Sequence, residues 1–298
     1  MTARQFTELL ALAALWGASF LFMRVAVPEF GPVMVTAIRV LLASLALAPL
    51  LWMSGHWRVL RAHAGPLAVV GVVNSALPFA LYSYALLWIS TGLAAIFNAT
   101  APLWGALIAW AWLGERLSRT RVLGLVLGFA GVVWLAWDQA GLRHGAGWSQ
   151  AAWAVVACLG STLCYGFSVN FTKRHLGTAP PMAVAAGSQM VAGLALALPA
   201  TATWPASMPS PGAWAAVTVL GLACTGLAYV LYFRLIASVG PSKALAVAYL
   251  IPLFALAWGW LFLGEGVTLV MVGAGSVILL GTALATGLIV GPRPRRAE

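Results

Sequence analysis

The sequence predicts an all-α polytopic membrane protein, with ten transmembrane helices arranged as two inverted five-helix repeats. Three observations carry that prediction. First, hydrophobic residues make up 62% of the 298 positions and charged residues 7%, against about 25% charged in a soluble domain. So few charges cannot cover a water-facing surface. Second, apolar runs of about 20 residues recur along the chain, each long enough as a helix to cross the roughly 30 Å hydrocarbon core of a bilayer. Third, the chain repeats itself at a shift of 150 residues: Asn98–Glu115 (NATAPLWGALIAWAWLGE) aligns without a gap on Ala248–Glu265 (AYLIPLFALAWGWLFLGE). Pro102 falls on Pro252, and Leu113-Gly114-Glu115 on Leu263-Gly264-Glu265.

The ten spans lie near 6–24, 32–53, 65–88, 90–113, 120–138, 149–171, 181–202, 212–236, 240–263 and 267–290. The first has the basic start and apolar run of a signal peptide. It continues through Phe20-Leu21-Phe22-Met23 without a small-residue cleavage site and has a counterpart in the second half, so it is read as a span. The connections carry turn or charge signals, as at Pro28–Pro32, Gly55–Gly65, Arg116–Arg121 and Pro205–Pro211. A polar, glycine-rich linker at 139–148 divides the first repeat, 1–138, from the second, 149–290, and a basic tail at 291–298 closes the chain.

Other segments obey the same shift. Gly71–Tyr84 aligns on Gly221–Arg234 with Tyr82 on Tyr232, and Gly131 falls on Gly281. Trp16-Gly17-Ala18-Ser19-Phe20 resembles Tyr165-Gly166-Phe167-Ser168-Val169 at a shift of 149. Five spans per half is an odd number, so the second half enters the bilayer in the opposite sense. Inverted repeats of this kind place a pseudo-two-fold axis in the membrane plane and a substrate site between them near the midplane.

The net charge of +10 is explained by where it lies. With the N-terminus inside, 13 Lys and Arg residues fall in cytoplasmic segments and only Arg24 and Arg143 outside. That bias sets the orientation, with both termini cytoplasmic, and nucleic acid is not implied as a partner. Cys158, Cys164 and Cys224 lie within apolar runs, where cysteine behaves as a small packing residue. All four histidines, His56, His63, His144 and His175, sit in predicted loops. No metal-ligand spacing, phosphate-binding glycine loop or nucleophile motif appears, so neither a cofactor nor a catalytic residue is expected.

The ten spans, the aromatic-Gly-x-Ser start and the Pro…Leu-Gly-Glu pattern in the fourth span of each half resemble the drug/metabolite transporter superfamily with two EamA-type repeats. Within it the likeness is nearest to YddG-type amino-acid exporters of the bacterial inner membrane. The resemblance covers essentially the whole chain. It implies a ten-helix basket in which spans 1–4 and 6–9 surround a central cavity while spans 5 and 10 brace the outside. Gly124-x-x-x-Gly128 in span 5 and Gly273, Gly275 and Gly281 in span 10 suit that bracing, since small residues let helices approach closely.

Arg39 is the clearest charge at membrane depth, about 10 Å below the outer edge of span 2 at 1.5 Å per residue. It either attracts a substrate carboxylate or satisfies itself by snorkelling and backbone bonds. Asn74, Pro78 and Tyr82 share one face of span 3, and a proline frees a carbonyl that lipid cannot satisfy. Asn98, Thr100 and Tyr249 precede the prolines of spans 4 and 9, and Trp16, Ser19, Tyr165 and Ser168 lie on spans 1 and 6. With Tyr232 they form either a substrate-binding wall of aromatic, hydroxyl and amide groups or polar glue between helices. Pro78, Pro102 and Pro252 are candidate hinges. Glu115 and Glu265 are read as caps on the next helix, with proton coupling as the sharper alternative. Trp52, Trp88, Trp112 and Trp148 suit an interfacial belt.

The expected function is a secondary transporter exporting amino acids, aromatic and amphipathic ones included, or related metabolites by alternating access. The partners are a small-molecule substrate and the lipid bilayer, and a monomer is compatible with the sequence. The alternatives are a drug or nucleotide-sugar carrier, an intramembrane enzyme and a non-transporting membrane partner.

Overall fold

The computed structural model of the chain describes residues 1–139 and 150–288, and all regular structure among them is helical. Residues 140–149, which hold Arg143, His144 and Trp148 of the expected linker at 139–148, and residues 289–298, which hold the expected tail at 291–298, lie outside the described residues.

Helix α1 (Ala3–Met53) starts on a capping box in which Thr2 and Gln5 satisfy each other's backbone N–H groups. It is two arms, 3–30 and 32–53, joined at Gly31 (φ 74°, ψ 161°) between Pro28 and Pro32. A side chain would clash in that conformation, so the glycine sets where the chain reverses. The arms are the expected spans 1 and 2. A short α2 (Trp57–Ala62) leads to α3 (Ala64–Gly71), a π-helical turn (Val72–Ala76) and α4 (Leu77–Ala85), which together make span 3. Span 4 is α5 (Thr91–Asn98) and α6 (Ala101–Leu113), and span 5 is α7 (Arg119–Gln139). Then come α8 (Gln150–His175) and α9 (Pro181–Ala202). Span 8 is α10 (Pro211–Gly221), a second π-helical turn (Leu222–Leu227) and α11 (Ala228–Val239). The series ends with α12 (Pro241–Ala244), α13 (Val247–Leu263) and α14 (Leu269–Thr286).

Among the described residues eight helical stretches are long and apolar enough to cross a membrane, and α13 is an apolar helix of shorter length. Large apolar side chains such as Leu45, Leu194, Leu198, Trp260 and Leu269 point outward. An apolar outer surface on apolar helices marks a multi-pass membrane protein.

Local features recur with their numbers shifted by 150. The π-helical turns at Val72–Ala76 and Leu222–Leu227 are one such pair. The Leu-Gly-Glu motifs are another. Gly114 (φ 68°) and Gly264 (φ 65°) are left-handed, and the next N–H reaches six residues back, from Glu115 to Ala109 O (3.2 Å) and from Glu265 to Gly259 O (3.1 Å). Both helices end on a residue in the left-handed region, where glycine carries no Cβ penalty.

Tertiary contacts recur in the same way, at a shift of 149 for the first span of each half and 150 elsewhere. A Cβ on Gly17 would lie 2.7 Å from Phe254 Cβ and 3.0 Å from Ala255 N, and one on Gly166 would lie 2.6 Å from Trp104 Cβ and 2.7 Å from Gly105 N. Span 1 thus packs on span 9 as span 6 packs on span 4. Helices α7 and α14 lie against each other, with Gly281 on Gly124 and Gly131 on Ala274, contacts that also interchange under the shift.

The two ends of the bundle differ. The end holding residues 30, 90, 210 and 265 is sealed by one continuous core, in which Phe30 meets Trp214 edge-on at 4.9 Å and Leu256 fills the space over Gly92. Helix α5 runs along α13 there. The opposite, basic end holds Arg4, Arg58, Arg116, Lys173, Arg234 and Lys243. The main core reaches this end too, at Leu9, Leu235 and Ala244, but the buried apolar groups around Leu51, Leu176 and Leu125 stand apart from it, and α6 turns toward α8 instead of α13.

Candidate functional site

A cavity of about 340 Å³ lies between the two halves. It runs from Met23, Arg39 and Phe79 at its deep end to Ala101, Val169 and Tyr232 toward the basic end.

The two π-helical turns place polar groups on its wall. A π-helical turn opens the helical ladder and is frequent at functional sites. Asn74 lies on the first turn, and Cys224 and Thr225 on the second. The Thr225 hydroxyl donates to Leu220 O, five residues back, at 2.8 Å and accepts from Arg39 Nε at 2.9 Å. Arg39 Nη1 points at Met23 S at 3.4 Å, and its guanidinium stands 3.7 Å over the Phe79 ring. Arg39 is 5% exposed, and among the described residues no carboxylate pairs with it. Burying a guanidinium costs several kcal/mol; one hydroxyl and one aromatic face return part of that.

Gln189, 150 residues on from Arg39, donates to Ser75 Oγ at 2.8 Å, and Ser75 is the counterpart of Thr225. The same bond is therefore made twice, with a charged donor on the cavity and a neutral, fully buried one off it. Arg39 makes the centre asymmetric.

The rest of the wall is aromatic. Trp16 meets Tyr232 at 5.1 Å between centroids, Phe20 meets Tyr82 edge-on at 5.4 Å, and Tyr82 stacks near Tyr165 at 6.4 Å. Asn98, in the last turn of α5, and Pro102, in the first turn of α6, complete it from span 4. Ser19 Oγ and Tyr82 Oη are buried with no hydrogen-bond partner of good geometry among the described residues.

Of the residues singled out from the sequence, Trp16, Ser19, Arg39, Asn74, Tyr82, Asn98, Pro102, Tyr165 and Tyr232 come together on this wall. Four candidates lie elsewhere. Pro78 faces α8, where its carbonyl accepts from Ser161 Oγ at 3.1 Å. Thr100 is fully buried and donates to Phe97 O at 2.7 Å. Ser168 is buried off the wall. Tyr249 turns to α14, with its hydroxyl 3.0 Å from Thr286 Oγ1. The counterpart of Asn98 under the shift is Ala248, one residue earlier, and Ala248 is on the wall.

The hinge and cap expectations need correction. The chain breaks at Ala99–Thr100, just before Pro102, but Pro252 sits inside the uninterrupted helix α13, whose span breaks earlier, at 245–246. The brace helices are capped by hydroxyls. Ser118 Oγ accepts from Arg121 N at 3.3 Å and Thr268 Oγ1 from Met271 N at 3.1 Å. Glu265 reaches the other half, where its carboxylate accepts from Thr91 N at 2.9 and 3.1 Å and from Thr91 Oγ1 at 2.9 Å. Glu115 pairs with Lys173 at 2.5 Å. The reason lies one turn back: the Glu265 carboxylate occupies space that a Cβ on Gly259 would fill, and the matching residue is Ala109.

Met23, Phe79, Thr225 and Tyr229 line the cavity and were not singled out. The repeat could have found three of them. Phe79 and Tyr229 are counterparts, and Thr225 matches Ser75, beside Asn74.

Comparison with known proteins agrees with this architecture. A chain of known crystal structure superposes with a TM-score of 0.64 at 22% identity, covering 97% of this chain and 98% of that one, and so shares the fold. The chain is 26% identical over 94% of its length to the uncharacterized inner membrane transporter YedA of Escherichia coli, of which it covers 90%. It is 25% identical to the uncharacterized transporter YvbV of Bacillus subtilis over 87% of this chain and 83% of that one. It is 26% identical to a probable terminal-alkyne amino-acid exporter of Streptantibioticus cattleyicolor over 93% of this chain and 92% of that one. Two stretches, 7–137 and 152–287, match the EamA-like transporter family. On those matches, which span most of its length, the chain belongs to the EamA-like transporter family.

Proposed function

We propose that this chain exports amino acids or related small carboxylates across the bacterial inner membrane. It does so by alternating access of two inverted five-helix repeats, 1–138 and 149–290. The carrying observation is the buried Arg39 guanidinium on the cavity wall, without a carboxylate partner among the described residues. A bound carboxylate would supply that partner in a water-poor site, where a charge-assisted hydrogen bond is at its strongest. The aromatic wall accommodates an apolar side chain, and the volume is at the small end for a ligand site. The inverted-repeat reading is supported by the contacts that interchange under the 150-residue shift.

Positive residues concentrate at the end toward which the cavity runs, so that end faces the cytoplasm and the cavity loads from inside the cell. The relative named as an amino-acid exporter is consistent with this direction. A nucleotide sugar would bring several phosphate charges, and the wall offers one cation. We read the chain as a non-enzymatic carrier.

The test is flux in liposomes containing only this protein, across a panel of labelled amino acids, with and without a pH gradient. Saturable flux of at least one aromatic or apolar amino acid is expected. No flux above empty liposomes for any member of the panel would end the reading.

A further inference from the structure

Among the described residues, the cavity wall carries one formal charge, that of Arg39, and no acid. The described carboxylates lie at the helix ends. Glu8 is bound by Arg4 at 3.2 Å and Arg234 at 3.1 Å, and Glu115 by Lys173. Glu29 accepts from Ser210, Glu265 accepts from Thr91, and Asp138 is in the last turn of the brace helix α7. A zwitterion in this cavity finds a guanidinium for its carboxylate and no anion for its ammonium. That group would meet neutral acceptors alone: aromatic faces, hydroxyl oxygens such as those of Ser19 and Thr225, and the amides of Asn74 and Asn98. The wall therefore favours a ligand of net negative charge over a neutral one of the same shape. Gln189 adds no second charge from the other half. The hydroxyls of Ser19 and Tyr82, without a partner of good geometry among the described residues, can donate to a carboxylate, hydroxyl or carbonyl oxygen.

We propose that the cavity reads a carboxylate and an apolar body but does not require an amino group. Its substrates then include monoanionic carboxylates such as N-acyl amino acids and 2-hydroxy acids, and their export is electrogenic. The inference rests on the carrier reading above. Each full cycle moves one negative charge outward while the empty carrier returns, so the inside-negative membrane potential drives export without a coupled proton. At equilibrium one elementary charge across 100 mV, worth about 2.3 kcal/mol, corresponds to a concentration ratio of roughly 50-fold.

The experiment uses proteoliposomes of the full chain at neutral pH with protein-free liposomes subtracted. The probes are labelled phenylalanine, N-acetylphenylalanine, phenyllactate and phenethylamine, and the potential is clamped with valinomycin and potassium. Flux of N-acetylphenylalanine and phenyllactate at least equal to that of phenylalanine is expected, with none of phenethylamine. The two anions should collect on the positive side by roughly 50-fold per 100 mV, and phenylalanine should be indifferent to the potential. Carriage of phenylalanine without either anion would overturn this inference and leave the carrier reading standing. So would anion distributions that ignore the clamp. Absence of flux for all four probes would overturn the carrier reading itself.

Discussion

The Glu265 carboxylate bridges the two halves at the sealed end of the bundle, and replacing it by glutamine tests whether that contact keeps the end closed. It takes both polar hydrogens of Thr91, the first residue of α5, from the end of the opposite half's α13. A hydrogen bond to a charged group contributes about 1.5–3 kcal/mol, and a neutral one about 0.5–1.5. The helix N-terminus adds attraction for a negative charge. Glu265 is partly exposed, which weakens the charge, so Glu265→Gln should cost the closed state about 1 kcal/mol. Glutamine keeps the shape that fits over Gly259, removes the charge and replaces one acceptor oxygen by an NH2 donor. A shift of about 1 kcal/mol moves the equilibrium between inward- and outward-open forms roughly fivefold toward outward-open. The assay is the rate at which an external, membrane-impermeant thiol reagent labels a single cysteine at Ser19→Cys, on the cavity wall, with the three native cysteines replaced. The rate should rise about fivefold in Glu265→Gln and further in Glu265→Ala. Unchanged rates in both would show that this contact does not hold the end closed.

Three further outcomes follow from other contacts. Thr225→Val removes the hydroxyl that orients Arg39, so KM should rise about tenfold or more while the melting temperature moves little, measured by flux and thermal unfolding. Gly281→Val would drive side-chain atoms into the backbone of Gly128 and Gly124 and should destabilise by about 1–3 kcal/mol or more, seen as a lower melting temperature in detergent. Gly65→Ala, with nothing within 4 Å, is its neutral control. At the sealed end, the backbone N–H and hydroxyl of Ser210 hold the Glu29 carboxyl below the usual carboxylate range. A depressed folded value means that this contact contributes stability above the unfolded pKa and loses it as pH falls through the folded one. The gap in melting temperature between wild type and Glu29→Gln should therefore be present at pH 7 and close toward pH 3.

The internal repeat made most of the architecture legible. Hydropathy placed the spans, the prolines at 28 and 32 and the Leu-Gly-Glu motifs placed a reversal and two helix ends, and the charge of Arg39 stands out against an apolar segment. Of the wall, the aromatics at 16, 82, 165 and 232 were visible because they obey the shift. Hydropathy does not encode which neighbour a polar group meets, and the π-helical turns carry no proline or charge to announce them. Hydropathy leaves Thr225 as one hydroxyl in an apolar run, and the π-helical turn is what brings it to Arg39. Tyr249 was drawn to the site by its neighbouring proline, although the register points to Ala248. Glu115 and Glu265 occupy equivalent backbone positions and diverge because Ala109 stands where Gly259 opens a space. A one-methyl difference in a repeat decides whether a carboxylate can fold back across its helix.

The account stands on Arg39 as the anchor of the transported carboxylate, and exchange of labelled phenylalanine in liposomes, wild type beside Arg39→Gln, addresses it directly. Loss of a buried ionic contact of this kind costs about 3–5 kcal/mol. The account predicts that exchange falls at least tenfold in the variant while its folding and membrane insertion are retained. Exchange at the wild-type rate and KM by a well-folded Arg39→Gln protein would contradict it.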